Sequence, residues 1–168
     1  FSVQLHEYID HPAPAKKMML GISLLKNTAR FEWMLEKVTE IGITEIYPLL
    51  CERTERQHFR KNRFEQIITS ACLQSQQFHF PILQEPIKME ELFKQDLPIQ
   101  RFIAHCMEGE KKQLVHASSD ALLLVGPEGD FTPEELDLSI THGFKPVGLG
   151  ETRLRTETAG IVGAVMMR

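Results

Sequence analysis

A chain of 168 residues, 42% hydrophobic and 25% charged, is long enough for one well-packed domain and too short for two large ones. A net charge of −4 argues against a surface given over wholly to phosphate contacts, and the lack of any apolar run near the roughly 20 residues that cross a bilayer argues against membrane insertion. Cys51, Cys72 and Cys106 stand far apart without paired spacing, which argues against a disulfide framework or a zinc site and suits a reducing cytoplasm.

The opening "FSVQLHEYIDHPAPAKK" reads as a strand and a Pro-containing linker, starting at Phe1 rather than Met. Residues 1–15 are therefore expected to be a linker or the remnant of a preceding unit, and 16–168 the main domain. "KMMLGISLL" has the continuous apolar character of a buried strand. In "RFEWMLEKVTEIG", Phe31, Met34, Leu35, Val38 and Ile41 recur at helical spacing, and Gly42 closes the helix.

"ITEIYPLL" reads as a covered strand, and a second helix is predicted over about Asn62 to Gln77, with Phe64, Ile67, Ile68, Ala71 and Cys72 on one side. Between them, "CERTERQHFRKNRF" departs from the acidic average. Arg53, Arg56, Arg60, Lys61 and Arg63 outnumber Glu52 and Glu55 there, with His58, Phe59 and Phe64 interleaved. Such a run is either a solvated loop and helix start or a surface for RNA.

A short acidic helix is expected near Met89 to Phe93, then strands in "IQRFIAHC" and "DALLLVG". The following helix has an N-cap at Thr132, Pro133 at its first position and Glu135 to complete a capping box, and Gly143 ends it. "KPVGLG" is a short strand, and "TETAGIVGAVMM" a last helix with Thr156 as cap and Glu157 in its first turn. Strands alternating with helices predict an α/β fold: a mainly parallel sheet with helices on both faces.

In such sheets ligands bind beyond the carboxyl ends of the strands. Two glycine-bearing exits lie there, "GPEGD" after "LLLV" and "LGETRLRTET" after "KPVG". The first lacks the Lys and Ser/Thr of a P-loop, and no G-x-G-x-x-G occurs. Gly126 and Gly129 allow backbone to approach a ligand, which suits an uncharged or zwitterionic group better than a triphosphate. Each loop alone is also consistent with a turn that merely connects. Together they point to a shared pocket.

"LLLVGPEGDFTPEEL" followed by "GFKPVGLGETRLRTETAG" closely resembles the RsmE family of ribosomal RNA methyltransferases in the SPOUT superfamily. "FEWMLEKVTEIGITEIYPLLCERT" and "ACLQS" are similar to earlier family segments, in the same order, so that the resemblance runs from about Met18 to the end. It implies a C-terminal deep trefoil knot whose loops bind S-adenosyl-L-methionine, and a homodimer with the sites beside the interface. The implied reaction is methylation of N3 of a uridine in 16S rRNA of the small ribosomal subunit, in the cytoplasm. Family members also carry an N-terminal PUA-like RNA-binding domain, of which residues 1–15 could be only a remnant.

Carried over residue by residue, the resemblance makes Gly126, Pro127, Glu128 and Gly129 the first cofactor loop. Leu149, Gly150, Leu154, Arg155, Thr156, Glu157 and Thr158 become the second, and His105 a strand-end position beside the cofactor. As a lone His it reads equally as a satisfied core residue. Two positions depart from the family: Asp130 stands where a second loop glycine is usual, and Thr152 where an arginine is expected, with Arg153 one residue later.

Arg155 is the expected stabiliser of the uridine anion and Glu128 a candidate base. Arg53, Arg56, Arg60, Lys61, Arg63 and Arg153 are the candidate RNA contacts, and no metal is expected. Glu36, Lys37, Thr39 and Glu40 match the family on the first helix, as substrate contacts or as a solvated face. The last helix, through Ile161, Val162, Val165 and Met166, is the expected dimer surface. A ribose 2′-O-methyltransferase and a non-catalytic RNA-binding or ribosome-assembly module are the competing readings.

Overall fold

The computed structural model describes residues 9–55, 58–107 and 111–168. Seven strands form one sheet: β1 (Met18–Ser23), β2 (Glu45–Leu49), β3 (Ile82–Leu83), β4 (Gln100–Ala104), β5 (Lys112–Gln113), β6 (Ala121–Val125) and β7 (Lys145–Gly148). Five helices accompany them: α1 (Thr28–Ile41), α2 (Lys61–Gln74), α3 (Met89–Leu92), α4 (Pro133–Thr141) and α5 (Thr156–Met167). The order across the sheet is β3-β2-β1-β6-β4-β7-β5, and every strand pairing is parallel. The doubly covered parallel sheet that the sequence predicts is therefore what forms.

The sequence patterns show why. All of β1 and all of β6 are buried, so an unbroken apolar run is what a central parallel strand between two helical layers requires. Alternation then divides the side chains between two cores. Leu20, Ile22, Leu123 and Val125 join Phe31, Met34, Leu35, Phe64, Ala164 and Met167 on the face covered by α1, α2 and α5. Met19, Leu122 and Leu124 join Met89, Leu92, Phe131 and Phe144 on the opposite face. Each fully buried Leu, Ile or Phe contributes about 1.5–3 kcal/mol of transfer free energy.

Helix ends follow the chemistry of their flanks. Asn27 Oδ1 accepts from the Arg30 N–H at the start of α1, and Gly42, at φ 102°, donates to Val38 O and Thr39 O at its end. At α4 the Thr132 hydroxyl accepts from Glu135 N while Glu135 Oε2 accepts from Thr132 N, completing the predicted box. One cap differs. Arg155, not Thr156, is the N-cap residue of α5 and makes no side-chain capping bond; Thr156 is the first helical residue, buried to 5% exposure.

Two further differences concern short or peripheral elements. β3 and β5 are two-residue strands at the sheet edges, too short to show a period in sequence. The second helix ends at Gln74 rather than near Gln77, whose amide instead reaches across to Thr39 O and Glu40 O. The opening strand "FSVQL" lies outside the described residues, as does the first part of the predicted remnant; residues 9–15 carry no strand. No helix of the described residues is long and apolar enough to cross a membrane.

Candidate functional site

Strand register brings the glycine exits together. In the parallel pairings Ala104 is level with Val125 and with Val147, and Ile22 is level with Val125 and with Pro48. The chain therefore leaves β1, β2, β4, β6 and β7 along a single rim. Since β4 lies between β6 and β7, the His105 exit sits between the Gly126 exit and the Leu149 exit.

The first loop is a tight turn held from both sides. Asp130 N donates to Pro127 O at 2.9 Å, closing the turn over Glu128 and Gly129. Gly126 leaves little space for a side chain, since a Cβ there would lie 3.0 Å from the Phe131 ring and 3.2 Å from Phe131 N. Gly126 and Pro127 are buried, whereas Glu128 and Gly129 are exposed.

From the β2 exit, Arg53 Nη1 donates to Gly129 O at 2.7 Å and to Phe131 O at 3.4 Å. Glu135 Oε1 accepts from Glu52 N at 2.9 Å, so the carboxylate that caps α4 also fastens the β2 exit to it. From the β4 exit, Cys106 N donates to Asp130 Oδ2 at 2.7 Å.

The second loop crosses back to the first. Arg153 Nη2 donates to Glu128 O at a long 3.4 Å. Gly150 has φ 129°, a conformation that disfavours any side chain, and a Cβ there would meet nothing within 4 Å. Leu149 and Leu154 are half-buried, while Thr152, Arg153 and Arg155 are exposed. The Arg155 guanidinium makes no ion pair or side-chain hydrogen bond among the described residues. Glu157, buried to 5% exposure, lies 3.6 Å from Arg30 Nε, and Thr158 is half-buried in the same first turn.

His105 is half-buried between the two loops, and its Nδ1 is a buried ring nitrogen without a hydrogen-bond partner among the described residues. Burial, and then the nearby Lys111 ammonium, push its pKa down from 6.5, with the Asp130 carboxylate opposing them. The ring is thus neutral at pH 7, with a buried Nδ1 whose hydrogen-bonding capacity is unused among the described residues. That waiting polar atom, the open space beside Gly150 and the backbone-rich first loop fit a zwitterionic nucleoside-amino-acid conjugate such as S-adenosylmethionine. Beside the rim, Lys26, Asn27, Thr28, Ala29, Arg30 and Glu128 line a shallow depression of about 570 Å³.

The basic run is divided among several tasks instead of forming one patch. Arg53 serves the first loop, Lys61 pairs with Glu85, and Arg63 pairs with Glu32 at 3.0 Å. Arg60 is exposed, and Arg56 lies outside the described residues. On α1, Lys37 bonds both Glu36 and Glu40, and these line a groove of about 1240 Å³ against Arg63 and the outer face of α2. Among the described residues no cluster of His, Cys, Asp and Glu could hold a metal ion.

Three participants are missed by reading along the chain: the hold of Arg53 on Gly129, the Glu135–Glu52 tie and the Asp130–Cys106 tie. They join residues 76, 83 and 24 positions apart. Only the sheet order makes them neighbours.

A family model described as an RNA methyltransferase domain matches residues 11–168. The ribosomal RNA small subunit methyltransferase E of Rickettsia conorii is 28% identical over 99% of this chain and 70% of its own length. Among solved structures, a probable rRNA-methyltransferase from Porphyromonas gingivalis is 36% identical, with a TM-score of 0.86 over 93% of this chain and 68% of that one. The small subunit methyltransferase E of Neisseria gonorrhoeae, solved bound to S-adenosyl methionine, is 29% identical, with a TM-score of 0.76 over 89% of this chain and 64% of that one. The chain thus spans about two thirds of the length of these relatives. With a glycine-loop rim at the strand ends and a family match over nearly all of its length, the chain belongs to the RNA methyltransferase domain family.

Proposed function

We propose that this chain is the catalytic domain of an S-adenosylmethionine-dependent methyltransferase that modifies N3 of a uridine in 16S rRNA of the small ribosomal subunit. The observation that carries the reading is the convergence of the two glycine loops on one rim, with the His105 exit between them. Gly126 to Gly129 and Leu149 to Thr158 would hold the cofactor, with His105 Nδ1 as a polar partner. The bound sulfonium supplies an already activated methyl group, so the protein has chiefly to align donor and acceptor.

Uridine N3 carries a proton and is a poor nucleophile until it leaves. Arg155 stands at the amino end of α5, where the partial positive charge of the helix and the guanidinium act in the same direction on an anion. It would stabilise the deprotonated base. Glu128, beside the depression that Lys26 and Arg30 also line, would accept the proton. The target base must be unpaired or leave its stack to reach the rim. Arg60 and Arg153 would meet rRNA phosphates, the protein working in the cytoplasm as a homodimer.

The test is calorimetric titration with S-adenosylhomocysteine, followed by methylation of small subunits lacking the modification and mass-spectrometric mapping of the methyl group. The expected result is saturable binding, a methyl on uracil N3, and loss of at least a hundredfold in kcat for Arg155→Ala, on the scale of removing one transition-state donor. A methyl on ribose O2′ would reassign the acceptor. Absence of binding by the folded chain would overturn the enzyme reading.

A further inference from the structure

Asp130 occupies a place where the chain could have used glycine. Its φ is 64°, in the left-handed region that Asp and Asn tolerate best among residues with side chains. Its backbone N–H closes the Pro127 turn at 2.9 Å. Its carboxylate is divided between two backbone donors, Oδ1 accepting from Phe131 N at 2.9 Å and Oδ2 from Cys106 N at 2.7 Å. One bond fixes the turn that leaves β6; the other takes hold of the loop that leaves β4, one residue past His105.

We propose that Asp130 is a positioning residue that joins the first glycine loop and the His105 exit into one preformed wall of the cofactor site. This rests on the function proposed above. A free carboxylate on the rim would attract the sulfonium directly, but here both oxygens are engaged by backbone N–H groups, and the charge is used to hold two loops at a fixed separation. Such charge-assisted bonds are about twice as strong as neutral ones. Arg53 braces the other side of the turn through Gly129 O and Phe131 O, and Lys111 braces the His105 exit by donating to His105 O at 2.9 Å and Met107 O at 2.7 Å. The wall thus has three ties, of which Asp130 alone spans both loops.

The design explains an otherwise costly choice. Glycine at this position relaxes the backbone but leaves Cys106 N and Phe131 N without their acceptor, so that the His105 exit and the turn move independently. Binding then has to order both, which weakens affinity. Asparagine tolerates the same φ and keeps one acceptor oxygen, so it can serve one of the two donors but not both.

Asp130→Gly and Asp130→Asn should be compared with the parent chain by calorimetry with S-adenosylhomocysteine, by steady-state methylation, and by NMR titration of His105. On the scale of losing charge-assisted bonds, the affinity should fall on the order of tenfold for Asp130→Gly and by less for Asp130→Asn. The methyl-donor KM should rise with it, and kcat should change little. The His105 pKa should drop in both variants, since the Asp130 carboxylate that opposes its depression has gone. A merely structural role would lower the stability alone and leave the affinity and the methyl-donor KM of the folded variants in place. Affinity within twofold of the parent in both variants, or an unmoved His105 titration, overturns the proposal. If the parent chain itself does not bind, the cofactor reading fails first and the positioning role falls with it.

Discussion

Arg53 shows how a residue's surroundings decide its work. In sequence it belongs to the basic run before α2 and reads as a candidate for RNA; in the fold its guanidinium donates to Gly129 O and its stem lies against the same glycine, 3.3 Å from where a Cβ would be. Arg53→Met keeps much of the stem and removes the donors. We expect it to weaken S-adenosylhomocysteine binding about threefold to tenfold, as the loss of a partly exposed charged hydrogen bond implies, and to leave binding of unmethylated rRNA fragments almost unchanged. Gly129→Val should act through the same arginine by pushing its stem aside. His105 makes a second residue-scale prediction. Its folded pKa lies below 6.5 while the unfolded chain titrates near that value, so its contribution is fully present above pH 6.5 and is lost as the pH falls through the folded pKa. Urea midpoints measured from pH 7.5 to 5 should therefore decline less steeply in His105→Gln than in the parent. The candidate site was legible as two glycine loops because glycine, proline and arginine at strand ends carry their chemistry locally. The ties that shape it were not, because each depends on which strands lie side by side.

Among elements, the ones that end in strong local signals were the ones the sequence disclosed. α4 carries its own cap and closing glycine and formed as read, whereas α1 closes at Gly42 as read but begins at Thr28 behind the Asn27 cap, ahead of its apolar pattern. Thr132→Ala should cost about 1 kcal/mol, the usual worth of such a cap, seen as a lower urea midpoint with an unchanged slope. The start of α5 was misplaced by one residue because Thr is a good N-cap in general, whereas this Thr156 is drawn under the helix and buried. A small-residue pattern in "TETAGIVGAVMM" signals close packing without saying against what. A Cβ on Gly163 would lie 2.2 Å from Leu123 Cδ2, and one on Gly160 2.7 Å from Ile22 Cδ1, so α5 sits on the sheet where a methyl group has no room. Gly163→Ala should destabilise by about 1–3 kcal/mol, the cost of overpacking a filled core. Because Arg155 and Thr156 begin that helix, the same change should weaken cofactor binding as well, whereas Thr132→Ala should not.

At the scale of the whole molecule, the catalytic reading places the rim at one end of α5 and leaves an apolar strip along the helix. Ile161, Val162 and Met166 are half-buried, and Val165 is 57% exposed. Arg30 pairs with Glu157 across the seam between α1 and α5; one turn further along each helix come Trp33, 48% exposed, and Ile161. An exposed aromatic ring on α1 and a strip of branched aliphatics on α5, in a chain of net charge −4, are better suited to a self-complementary contact than to phosphates. A two-fold arrangement would set two copies of α5 near each other, and with them the Arg155 that begins each helix, so pairing and catalysis should fail together. Val165→Glu places a charge in the middle of the strip without touching either glycine loop. By analytical ultracentrifugation at micromolar concentration the parent chain should sediment as a dimer and Val165→Glu as a folded monomer whose methylation rate has fallen at least tenfold. A parent that sediments as a monomer yet methylates its rRNA at full rate would show that the strip is covered by something else and that each rim works alone.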